Sequence, residues 1–166
     1  MKPLILLLLF VLAAGCNQGH QQDVGDIPFD QAMDGPEFKL CGHESSTKQY
    51  YVRGSSLLPA GYKGEKRALE KAVLEQYAFP VSASENGYVT IRFVVNCRGE
   101  SGRFRVEQMD FNYQPVRFDP GLVQQLLEIT RKLDGWIPVG RDGRTYDFYQ
   151  YLTFKVRNGQ IEKILP

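Results

Sequence analysis

The chain has 166 residues, with 20 Lys and Arg against 19 Asp and Glu and a formal net charge of +1. That balance, spread along the chain without a basic run, excludes a nucleic-acid binder held by an electrostatic footprint. With two histidines and three cysteines, little is left for imidazole catalysis or a zinc cluster.

Residues 1–15 carry Lys2, an apolar run from Leu4 to Ala14, and the small residues Ala13, Ala14 and Gly15 before Cys16. The run is too short for a membrane-spanning helix, which needs about 20 apolar residues, and suits a signal peptide. It resembles the bacterial lipobox, with Leu12 one place upstream of its usual position; that resemblance implies lipidation of Cys16 as the mature N-terminus. The alternative is an ordinary cleaved signal with an incidental cysteine. Asn17 does not repeat the Asp that marks inner-membrane retention in enteric bacteria, which favours the outer membrane and leaves its periplasmic or surface face open. Residues 16–37, with Asp23, Asp26, Asp30, Asp34 and Glu37 and no Lys or Arg, read as a solvated flexible tether.

Residues 38–61 read as an extension of strand and loop: "FKLC" and "YYV" as two short strands of a hairpin, then a Gly, Ser and Pro linker. Cys41 and Cys97 are the remaining thiols, and in an oxidising compartment they predict a disulfide. A metal site at Cys41 and His43 is the weaker alternative, having no further ligand close in sequence.

Leu69, Ala72, Val73 and Tyr77 recur at helical spacing in Glu65–Tyr77. Val89, Ile91, Phe93, Val95 and Cys97 alternate with polar residues and predict a strand with Cys97 on its inward face. "RGESG" turns the chain into a returning strand, Arg103–Phe111. Asp119 and Pro120 open a second helix, with Leu122, Val123, Leu126, Leu127, Thr130 and Leu133 as its apolar stripe and Gly135 as its C-terminal cap. A connection through Pro138 leads to a last long strand, with Phe148, Leu152, Phe154 and Val156 on one face and Asp147, Tyr149, Tyr151, Thr153 and Lys155 on the other. Asn158 and Gly159 then signal a hairpin into a short edge strand, "QIEKILP". The order predicts an α+β fold, an antiparallel sheet of three to five strands with two helices packed on one face.

No nucleophile elbow, metal helix or phosphate loop is present. Glu100, Glu107 and Asp110 read as solvated carboxylates, so the expectation is a non-catalytic protein without cofactor or metal. Tyr149 and Tyr151, beside Tyr88 and Arg92, offer aromatic contact area for a partner; alternatively they cover that face against the N-terminal segment. The terminal hairpin offers an edge for an extended peptide, or one shielded by the chain's own ends.

From Tyr62 onward the chain resembles the C-terminal domain of TonB in its Bacteroidetes form. The resemblance is carried, in order, by Tyr62 and Gly64, Ala68 and Leu69, Phe79 and Pro80, Gly87, Val89, Phe93, Val95, Asn96 and Gly99, then Trp136, Pro138, Gly143 and Phe154. It implies a domain over residues 62–166 with two helices against an antiparallel sheet, binding a segment of an envelope protein, an outer-membrane transporter being one candidate, through a sheet edge. It does not extend to the inner-membrane helix or Pro-rich span of a transducer, so strand pairing is implied rather than energy transduction. Partner contacts are expected at Tyr149, Tyr151, Thr153 and Lys155. The other expectations are a structural envelope lipoprotein and a glycan- or peptidoglycan-binding module using exposed Tyr.

Overall fold

The structure, a computed structural model, describes residues 26–43, 47, 61–78, 84–141 and 143–165. Cys16, the signal segment, the "YYV" strand and the Phe79–Pro80 break lie outside these residues. Among the described residues no helix is long and apolar enough to cross a membrane.

The elements run β1 (Gly61–Tyr62), α1 (Glu65–Leu74), β2 (Gly87–Val95), β3 (Ser101–Met109), α2 (Pro120–Arg131), β4 (Trp136–Ile137), β5 (Val139–Arg141), β6 (Arg144–Tyr146), β7 (Phe148–Arg157) and β8 (Gln160–Leu165). The main sheet has four strands in the order β3-β2-β7-β8, all antiparallel. The fold is therefore α+β. Alternation in β2 turns Val89, Ile91, Phe93 and Val95 inward, and β7 adds Phe148, Leu152, Phe154 and Val156. Leu69 and Val73 of α1 and Leu122, Leu126 and Ile129 of α2 complete the same core. Burying each such side chain contributes about 1.5–3 kcal/mol.

Local signals act as chemistry dictates. Asp119 accepts hydrogen bonds from the Gly121 and Leu122 N–H groups, capping α2. Asn158 and Gly159 both take positive φ, 49° and 71°, and form the tight turn between β7 and β8.

Other expectations are corrected. Gly135 does not cap α2, whose cap is Lys132. Its missing Cβ admits the Tyr62 ring, which a methyl group there would meet at 2.6 Å. The Gly, Ser and Pro linker ends in a pairing of β1 with β4, which sets Tyr62 edge-on to Trp136 at 5.1 Å. Cys97 is not on the inward face of β2, which ends at Val95; it stands in the turn that follows. Residues 38–40 form no strand.

The tether expected over residues 16–37 is likewise corrected in its described part. Residues 26–43 form a strap against β3. Ile27 is buried, and the Arg105 guanidinium donates to both Asp34 carboxylate oxygens at 2.8 Å and to the Pro28 carbonyl. The Phe38 ring rests on Gly102, where an added Cβ would collide with it. The acidic composition looked solvated because the matching cation lies 71 residues away.

Candidate functional site

The outer face of the sheet, opposite the helices, carries the four residues expected to meet a partner. Tyr151 lies directly across from Arg92, and Thr153 from Thr90. The Thr153 and Thr90 hydroxyls share a hydrogen bond of 2.9 Å. Lys155 pairs with Glu162 of β8 at 3.1 Å and stands over the Phe111 ring. Tyr149 is half-buried and in contact with neighbours, whereas Tyr151 is 48% exposed. The four therefore do not form an edge as expected: β7 runs between β2 and β8, and Thr153 and Lys155 have a partner strand on either side.

An edge nevertheless opens on the same strand. Among the described residues β8 pairs with Thr153–Arg157, and Phe148–Leu152 pair with β2 alone. The hydroxyl contact between Thr90 and Thr153 marks a closely spaced, non-hydrogen-bonded pair, so Thr153 points its backbone groups away from β2. By the two-residue period Tyr151 points the same way. Its N–H donates to the Oε1 of Gln150 at 2.9 Å, a side chain standing where a neighbouring strand's carbonyl would sit.

Beside this edge is a cleft of about 220 Å³ lined by Tyr62, Leu69, Trp136, Gln150, Leu152 and Ile164. Its walls are mainly apolar, and they come from β1, α1, β4, β7 and β8. Burial pushes the Tyr62 hydroxyl above its ordinary pKa, with the Asp134 charge adding to the effect. The Trp136 indole N–H is buried without an acceptor among the described residues. Such a donor is costly to leave unmatched.

A larger cleft, about 540 Å³, lies between the strap and the turn joining β2 to β3, with Phe29, Met33, Arg98 and Arg131 in its walls. The two surface guanidinium groups are already matched, Arg98 by Glu100 at 2.7 Å and Arg131 by Glu128 at 3.0 Å. Arg98, with help from Asn96, holds the Glu100 carboxyl below its ordinary pKa.

At one end of the sheet the strap is knotted to the core. Cys41 and Cys97 form a disulfide with their Cα atoms 5.9 Å apart. Asp147, 3% exposed, accepts from the backbone N–H groups of Cys41, Gly42 and Cys97 at 2.8–3.1 Å. The two sulfur atoms and this carboxylate lie close enough to suggest a metal site. The disulfide takes both thiolates that such a site would need. Cys41 is accordingly not a ligand, which removes the Cys41 and His43 reading. Glu107 is engaged by Arg92 at 2.9 Å, and Asp110 accepts from the Asn112 and Gln114 N–H groups. These carboxylates and Glu100 each serve a local partner.

Sequence reasoning missed the Trp136 cleft and the Asp147 knot. Trp136 followed a helix like any core aromatic, and Asp147 alternated with the tyrosines as one more outward polar residue. Comparison with protein-family models, curated proteins and solved structures finds no match to this chain. The likeness to the TonB C-terminal domain thus rests on the sequence motifs.

Proposed function

We propose that this chain is a non-catalytic, lipid-anchored cell-envelope protein with a TonB-like domain, which binds an extended segment of a protein partner by strand addition at Gln150–Leu152. The observation that carries the reading is the stretch Phe148–Leu152 of β7, which among the described residues pairs with β2 alone and lies beside an apolar cleft. A segment lying antiparallel to β7 in line with β8 would exchange two backbone hydrogen bonds with Tyr151. Its residues opposite Gln150 and Leu152 would enter the cleft, so main-chain pairing supplies affinity and alternate side chains supply selectivity. An apolar side chain suits Leu69, Leu152 and Ile164.

Both helices on one sheet face are compatible with the TonB-like reading. The disulfide supports an exported location, and the opening segment with Cys16 supports anchoring, the outer membrane being favoured. An outer-membrane transporter remains a candidate partner.

The test places a photoreactive residue at Lys66, on the rim of the cleft, in the full chain mixed with solubilised envelope proteins. The expected result is a discrete adduct mapping to one extended segment. Tyr151→Pro removes the edge-facing N–H at a site where proline is tolerated and is expected to abolish the adduct while circular dichroism stays unchanged. No adduct, or one indifferent to Tyr151→Pro in a folded protein, overturns the proposal in favour of a structural envelope lipoprotein.

A further inference from the structure

Along the outer face from Tyr151, aromatic rings cluster around Tyr88. Tyr88 of β2 stacks on Tyr113 with ring centroids 5.6 Å apart and planes inclined by 5°. Phe111 meets Tyr88 edge-on at 5.4 Å. The Phe111 ring is in turn held under the Arg157 guanidinium and the Lys155 ammonium, 5.0 and 5.6 Å from its centroid.

Tyr113 is 68% exposed, yet its φ of 61° lies in the left-handed region. A bulky residue is strained there, and Asn or Gly would form the same turn at lower cost. The surrounding loop enforces the conformation. Asp110 Oδ1 accepts from the N–H groups of Asn112 and Gln114, Tyr113 N–H donates to the Asp110 carbonyl, and Asp110 N–H to the Gln114 carbonyl. A strained aromatic kept mostly in solvent is not there for burial. One ring face rests on Tyr88 and the other is presented outward, as backbone strain at binding sites commonly does for a side chain.

The geometry points to Tyr113 as the centre of a platform that binds the ring of a neutral sugar. The electron-rich face of tyrosine attracts the weakly positive C–H groups on the flat side of a pyranose, and the exposed amides of Asn112 and Gln114 flank it with donors and acceptors for hydroxyls. The neighbouring cations Lys155 and Arg157 share the Glu162 carboxylate at 3.1 and 3.0 Å and cover Phe111 rather than Tyr113. This site is separate from the strand edge at Tyr151 and stands whether or not that edge binds a peptide.

The test is calorimetric titration of the full chain, in detergent, with cellotetraose, maltotetraose and chitotetraose. Binding of at least one is expected, weakened by about two- to tenfold in Tyr113→Gly, the scale of one lost aromatic contact. Because glycine accepts the left-handed backbone, the melting temperature of that variant is expected to hold or rise. Absence of heat with all three sugars, or equal binding by wild type and variant, overturns the proposal. A lower melting temperature in Tyr113→Gly together with no sugar binding by wild type assigns the stack to stability alone and overturns it as well.

Discussion

Asp147→Asn is expected to loosen the strap while leaving the sheet intact. The carboxylate accepts from three backbone N–H groups, those of Cys41, Gly42 and Cys97, and an amide of the same shape keeps one acceptor oxygen and turns an NH₂ group toward the other donors. Hydrogen bonds to a charged group are worth about 1.5–3 kcal/mol each, and an unmatched buried donor adds its desolvation penalty. Cys41 and Gly42 are exposed, however, so their N–H groups regain water once released. Counting mainly the loss at the half-buried Cys97, the expected cost is about 2–3 kcal/mol. That is a fall in melting temperature of about 4–12 °C for a domain of this size. The disulfide limits the damage, since its closed loop, with 56 residues of separation, restrains the unfolded chain by about 4 kcal/mol. Thermal unfolding followed by circular dichroism, with hydrogen exchange at Cys41, Gly42 and Cys97, measures both effects. Exchange should rise at these amides first. A melting temperature unchanged within about 2 °C, with protection retained at all three, would refute the view that this carboxylate ties strap to sheet.

Two further outcomes follow from the strap. Gly102→Ala drives a methyl group into the Phe38 ring and is expected to cost about 1–3 kcal/mol; denaturant unfolding reads it, and a neutral result would mean that Phe38 does not pack there in solution. The Arg105 hydrogen bond holds the Asp34 carboxyl below its ordinary 3.8. A depressed carboxylate contributes stability that is present above its unfolded value and lost as pH falls through its folded one. Acid unfolding below about pH 4 should therefore be shallower in Asp34→Asn than in wild type, and identical slopes would remove the pair from the acid response.

The sequence by itself determined what depends on neighbours in the chain. Period-two alternation located β2 and β7 and the side of each that faces the helices, because pleating fixes side-chain direction residue by residue. Asp119 with Pro120 marked the start of α2, and Asn158 with Gly159 the last turn, because caps and tight turns act over a few residues. The pairing of Cys41 with Cys97 was legible from the inferred compartment and the count of remaining thiols. Tertiary structure alone decided the rest. Only the sheet order places β7 inside, turning four expected contact residues into a face. Only folding brings Asp34 to Arg105 and Asp147 to the Cys41, Gly42 and Cys97 amides, so an acidic stretch that composition marks as solvated becomes a packed strap. The physical reason is the same in each case: charge matching, edge exposure and the cleft beside Trp136 depend on groups that are distant in the chain and meet only when the sheet closes over its core.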